Sequence, residues 1–266
     1  MPLEIDGGEQ PTSLEFALRK LDRRYGKSVV RVGADAARTG SPTGIEALDS
    51  IIPGGGLPLG RLSWLSGATG AGAFDLSLVL LARSSRSSPV AVVDFDKVLD
   101  PGDIEDYGGD LDSCWVVRPR HPEEGWAAAR SLARAGVEFC LMLAREWRPV
   151  GRAAPAALVA ATEERNSVVL LGGGLLVPQQ IGGRVGIELS CQRLGWTMAH
   201  QDVSGLRLRL QVERSHLGPP GQSCQLDIDF PRMYRTGAGI AVAGVQRDGV
   251  RVRSDQEEPL LAEALG

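Results

Sequence analysis

The 266-residue chain lacks an excess of positive charge, a cysteine cluster and any long apolar run, and each absence narrows its chemistry. A formal net charge of −4 supplies no global attraction to nucleic acid, so any DNA contact has to come from a local basic stripe. Cys114, Cys140, Cys191 and Cys224 lie far apart with no C-x-x-C pair. They read as reduced, buried thiols of a cytosolic protein, not as disulfides or metal ligands. His121, His200 and His216 show no ligand spacing, and no metal is assigned. No apolar stretch approaches the ~20 residues of a membrane span. The N-terminus is acidic and polar where a signal peptide needs a basic flank, so a cytoplasmic location without a membrane partner is expected. The composition, 43% hydrophobic and 23% charged, is that of a globular chain able to bury a substantial core.

A second kind of absence carries more information. The string Gly67-Ala68-Thr69-Gly70-Ala71-Gly72-Ala73-Phe74 follows the P-loop pattern G-x-x-x-x-G-K-[ST] up to its last two positions. The glycines that let backbone N–H groups curl around a phosphate are present. The lysine for the β- and γ-phosphates and the hydroxyl that holds Mg²⁺ are replaced by Ala73 and Phe74. A Gly/Ala-rich strand-to-helix turn with no ligand is the competing reading. Phe74, opening the following helix, is expected to turn its ring into packing.

Along the chain, Thr12-Ser13-Leu14-Glu15 forms a capping box, after which Leu14, Leu18, Leu21 and Tyr25 recur at helical spacing until Gly26. From Thr43 the pattern becomes α/β, with a short helix through Ile45, Leu48 and Ile51, a strand from Arg61 to Ser66, and a helix from about Gly72 to Ser85. Val90 to Phe95, Cys114 to Val117, Cys140 to Leu143 and Val168 to Leu171 have the continuous apolar texture of parallel strands covered on both faces. Helices near Glu123–Ala135 and Pro155–Arg165 separate them. After Gly186 the period changes to two: Leu206, Leu208, Leu210 and Val212 alternate with polar residues, and so do Leu226, Ile228 and Phe230, as in half-exposed antiparallel strands. A short hairpin is expected near Asp248-Gly249, and the chain ends in the acidic-apolar stretch Glu257 to Leu265. The expected division is an N-terminal helix, strand and linker over 1–40, a core over 41–235 and an appendage over 236–266.

This order resembles the core of the RecA recombinase family. Tyr25-Gly26-Lys27 with Val30 to Gly33 is similar to the end of the family's N-terminal oligomerisation helix and its strand. Thr43 to Asp49 with Gly55 to Arg61 is similar to the segment before the family's P-loop, and Val93 to Pro101 to the segment carrying its catalytic glutamate, with Asp96 at that position. Val212 to Pro220 resembles the stretch whose two lysines reach ATP across a filament interface, here Arg214 and His216. The resemblance implies a RecA-like P-loop NTPase core: an α/β fold, mainly parallel sheet flanked by helices, with antiparallel strands at one edge. Its departures cluster on function. The strand Cys140 to Leu143 runs into Ala144-Arg145 with no aspartate for Mg²⁺, both DNA-binding loops lack room, and Gly172-Gly173-Gly174 stands where the family's strand ends in a γ-phosphate-sensing glutamine.

With length and an unusual tail added, the chain is similar to the ImuA family, RecA-like partners in bacterial damage-induced mutagenesis. That resemblance implies an adaptor of translesion synthesis in the SOS response. Its implied partners are an ImuB-like Y-family protein and an error-prone C-family polymerase, with RecA and weak non-specific DNA as further contacts. Interaction residues would be Leu14, Leu18, Leu21 and Tyr25, and Leu260 and Leu261 in the tail, although packing on the chain's own domain and disorder are the competing readings. One alternative is a weak DNA-stimulated ATPase. In it the amides at Gly70, Ala71 and Gly72 still hold ATP, and Asp96, the one catalytic candidate, polarises water. A SulA-like inhibitor of cell division is the other. Arg193, Arg207, Arg209 and Arg214 are candidate DNA contacts, against a solvated outer sheet face. Asp94, Asp96, Asp100 and Asp103 read as solvated or helix-capping carboxylates more than as metal ligands.

Overall fold

In the computed structural model of the chain, residues 40–148, 150–174, 177–199, 201–231 and 250–252 are described. The chain divides between Arg38 and Thr39, and every described residue lies in the second unit. The stripe Leu14, Leu18, Leu21 and Tyr25, His200, and the tail residues Leu260 and Leu261 lie outside the described residues.

The elements in order are β1 (Gly40–Ser41), α1 (Glu46–Ile51), β2 (Leu57–Pro58), β3 (Leu62–Gly67), α2 (Ala73–Ser85), β4 (Val90–Asp94), α3 (Pro101–Asp106), β5 (Cys114–Val117), α4 (Pro122–Ala135), β6 (Phe139–Leu143), α5 (Ala153–Arg165), β7 (Val168–Gly172), α6 (Gln179–Gly182), β8 (Val185–Ala199), β9 (Asp202–Ser215), β10 (Ser223–Asp229) and β11 (Val250–Val252). The short pair β1 and β2 stands apart from a nine-stranded sheet ordered β11-β10-β9-β8-β3-β7-β6-β4-β5. From β8 to β5 neighbours run parallel, and from β8 to β11 they run antiparallel. The expected architecture is therefore present, with β11 adding a paired strand from the 236–266 segment.

Two cores explain why these sequences take this form. On one face Leu65, Val92, Leu141 and Leu170 pack against Leu76 and Leu80 of α2 and Leu48 of α1. On the other, Trp64, Val93, Met142 and Leu171 pack against Trp126 of α4 and Leu158 of α5. Strands β4, β6 and β7 are buried at every residue, which is why they read as unbroken apolar runs. β5 departs from that expectation. It has the same apolar texture but closes the sheet at its edge, leaving Trp115 49% exposed.

Helix α4 starts at Pro122 with Glu123 and Glu124 in its first turn and ends at Gly136 in the left-handed region (φ 101°), matching its terminal preferences to the helix dipole. In β9, Leu206, Leu208, Leu210 and Val212 are buried while Arg207, Arg209, Gln211 and Glu213 face out, as the period of two requires. No described helix is long and apolar enough to cross a membrane.

Candidate functional site

The loop between β3 and α2 keeps the shape of a phosphate cradle. Gly70 (φ 76°) and Gly72 (φ 89°) are both left-handed, and Ala71 N–H donates to the Ala68 carbonyl at 2.9 Å to close the turn. Gly72 is required twice over, because a Cβ there would lie 2.5 Å from Leu208 Cδ2. The loop thus rests on the buried face of β9. Beneath it the Cys191 thiol donates to the Ala71 carbonyl at 3.2 Å, and burial, with the nearby Asp75 charge, pushes that thiol up to about 12.

The cavity in front of this loop has a volume of about 470 Å³ and is bounded by Gly67–Gly70, Phe74, Asp75, Val98, Ala144, Arg145 and Gly173, among others. Its chemistry is unlike its shape. Ala73 is buried and its side chain has no polar atom. Phe74 is 38% exposed, so the ring does not turn into packing as expected: the inner face of α2 is already filled by Leu76, Val79 and Leu80. It lines the cavity and an adjoining hollow with Leu78, Val203 and Phe230. Asp75 places a carboxyl in the same cavity. Burial raises its pKa above the ordinary value, opposed by a hydrogen bond from the Tyr107 hydroxyl at 3.2 Å. An acid at the helix N-terminus satisfies the dipole from within and works against a bound phosphate.

The strand ends facing the loop are held by packing in place of metal chemistry. β6 runs into the buried Ala144, whose N–H donates to the Gly172 carbonyl at 3.2 Å. Gly173 sits at φ 101°, and a Cβ there would collide with the Ala144 carbonyl oxygen, so the two strand ends press together only because it is glycine. Trp147 then covers the gap. Its Nε1–H donates to the Gly173 carbonyl at 3.2 Å, and its ring meets Trp64, Phe95 and Trp126 at centroid separations of 5.6, 5.6 and 6.0 Å. Neither Trp147 nor Gly173 carried a motif. The one sequence signal was a lone tryptophan among charged residues just after a buried strand.

Asp96 is exposed and lines a separate hollow beside Trp147, not the loop cavity; its Oδ2 accepts the Arg145 N–H at 2.6 Å. Asp94 is fully buried and accepts from the N–H groups of Val98 and Leu99 at 3.2 and 3.0 Å, with Arg118 Nε at 3.7 Å. Asp100 caps α3 by accepting from Gly102 N–H at 3.0 Å. Among the described residues no group of three or more His, Cys, Asp or Glu could hold a metal ion. The side chains present do not fit Mg²⁺.

The candidate DNA-contact arginines do not converge. Arg207 pairs with Asp227 at 2.9 Å, and Arg214 lies 3.6 Å from Glu188 and donates to the Gly182 carbonyl. Arg193 stacks on Trp196 at 4.4 Å and reaches the phosphate loop, 3.6 Å from the position of a Cβ on Gly70. Leu208 meets the same loop, so Arg207 and Arg209, which alternate with it, face the opposite side of the sheet. The cysteines are all free, but only Cys140 and Cys191 are buried; Cys114 and Cys224 are half-buried, at the edge strand and on β10.

Residues 12–143 match the RecA N-terminal domain family. The chain is 27% identical over 285 residues to Protein RecA of Clavibacter michiganensis subsp. michiganensis, covering 91% of this chain and 78% of that one. It is 25% identical over 264 residues to Protein RecA of Aquifex aeolicus, covering 84% and 75%. The solved structure of the RadB recombinase superposes with a TM-score of 0.59 at 16% identity, over 80% of this chain and 99% of that one.

Proposed function

We propose that this chain, RecA-like in fold and in the sequence of residues 12–143, is a non-hydrolysing adaptor of DNA-damage-induced translesion synthesis, of the ImuA kind. The observation that carries the reading is the pairing of a retained phosphate-loop backbone with Ala73, Phe74 and Ala144 at the positions that would hold phosphate and metal. Phosphoryl transfer depends almost wholly on positioning and charge stabilisation, and those are the groups removed. What is left is a stable RecA-like frame whose surfaces are free to serve protein contacts. An ImuB-like Y-family protein and an error-prone C-family polymerase are the partners this reading names.

A second reading, a weak residual ATPase, draws on the two left-handed glycines and on Arg145 and Arg193 beside the cavity. The two are separated by damage-induced mutation frequency, measured together with partner co-purification. Leu18→Asp is expected to abolish assembly with the partner and deletion beyond Arg235 to weaken partner capture, while Asp96→Asn leaves mutagenesis near wild type. Loss of mutagenesis in Asp96→Asn alone would overturn the adaptor in favour of the residual enzyme.

A further inference from the structure

The hollow beside Trp147 is built differently from the phosphate-loop cavity. Its floor is Phe95, Trp126 and Trp147, and its rim carries Lys97, Arg120 and Arg148, contributed by the ends of β4 and β6 and the start of α4. Gly125 allows the floor to form, since a Cβ there would run into the Phe95 ring. Lys97 is held in the left-handed region at φ 58°.

We infer that this hollow is a docking pocket for an acidic segment of a partner protein, which inserts one leucine- or phenylalanine-sized side chain between the rings and the basic rim. The inference rests on the adaptor reading and names the partner's chemistry. Size argues first. At about 200 Å³ the hollow is smaller than the roughly 300 Å³ lower bound of small-molecule sites, but takes one large apolar side chain.

Ring geometry argues against nucleic acid. Trp147 meets three rings at tilted or edge-on angles and donates its N–H to Gly173, and Trp126 is 2% exposed, so the half-buried Phe95 and Trp147 offer a recess for a side chain and not a flat platform for a stacked base. Charge decides the flanks. Lys97, Arg120 and Arg148 are exposed and make no side-chain ion pair among the described residues. The lining also holds two carboxylates, Asp96, which accepts the Arg145 N–H, and Glu146, so the three cations leave the hollow an excess of one positive charge. Glu124 is occupied with the Arg120 backbone N–H and does not line the hollow. A chain with acidic residues on either side of an apolar anchor complements both features.

The test uses the full chain and a phage-displayed library of short random peptides. Panning should return peptides with Asp or Glu flanking a Leu or Phe. A labelled consensus peptide should bind about ten-fold or more weakly to Arg120→Glu/Arg148→Glu and lose affinity with salt, while the variant's melting temperature stays near wild type. Trp147→Phe keeps an apolar floor and should retain most of the affinity, which guards against reading a folding defect as a binding defect. Three results overturn the pocket: no acidic-apolar consensus, a consensus unaffected by the charge reversals, or an oligo-dT probe that binds more tightly than the peptide and competes with it. In each of these cases intact partner co-purification leaves the adaptor reading standing. ATP turnover of ~1 s⁻¹ or more by wild-type chain sinks that reading whatever the peptides do.

Discussion

The phosphate-loop cavity and the hollow beside Trp147 share Ala144 as a wall, yet they offer opposite chemistry. The first keeps backbone geometry suited to an anion but presents a phenylalanine ring and a carboxyl. The second has no motif geometry but gathers three cations and two carboxylates around an aromatic floor. Strand ends at the C-terminal edge of a parallel sheet are where such folds place function. Here the loop at that edge presents Ala73 and Phe74 where the P-loop pattern has lysine and a hydroxyl, and the neighbouring hollow on the same edge is lined by three cations and two carboxylates.

The largest effect expected concerns turnover. Steady-state ATP hydrolysis should lie far below ~1 s⁻¹, the low end of kinase-like rates, and Ala73→Lys/Phe74→Ser should not restore it, because Ala144 still supplies no metal ligand. Recovery of turnover in that double variant would erase the contrast between the two hollows.

Stability effects come next. Gly173→Val forces a β-branched residue to φ 101° and into the Ala144 carbonyl, and should cost about 3 kcal/mol or more, or several degrees in Tm by thermal denaturation. Trp147→Ala removes three ring contacts and a hydrogen bond and should cost about 2–3 kcal/mol, less than a fully buried tryptophan because Trp147 is only half-buried. A smaller cost for Trp147 than for an exposed residue such as Arg148 would show that the aromatic floor is not a structural wall.

Asp75 gives a pH signature. Its folded pKa is raised, chiefly by burial, so its contribution to stability is fully present below about 3.8 and is lost as pH rises through the folded value. Asp75→Asn keeps a partner for the Tyr107 hydroxyl and should flatten that loss, leaving the variant at least as stable as wild type near pH 7. Urea melts across pH 3–7 check this, and a variant less stable at pH 7 would contradict it. The smallest effect belongs to Arg207→Ala. This partly exposed pair with Asp227 should be worth no more than about 1 kcal/mol, and its loss should hardly alter DNA binding.

Much of the frame was legible because its causes are local. β4, β6 and β7 are buried on both faces, so their sequences had to be continuous apolar runs, and β9 covers a core on one face only, so it had to alternate. Identical local texture misled at β5, since nothing in Cys114–Val117 says whether a strand has one neighbour or two. Asp100 was legible as a cap because it stands just before Pro101 and Gly102 at a helix start, whereas Asp94, read as solvated or capping, is fully buried and holds the Val98 and Leu99 N–H groups of the following turn. The arginines were not legible as a set, because partners such as Asp227 come from other strands.

The loss of lysine, hydroxyl and aspartate from the loop and from the end of β6 was fixed by sequence alone, because each position is defined relative to a glycine pattern or a buried run nearby. Only the tertiary structure decided that Phe74 would be exposed, that Gly173 would let two strand ends touch, and that Lys97, Arg120 and Arg148 would line one hollow with Trp147. Parallel strands are joined by long crossovers, so groups that share one sheet edge are far apart along the chain. Their meeting is set by strand order and register, which no local pattern of residues encodes.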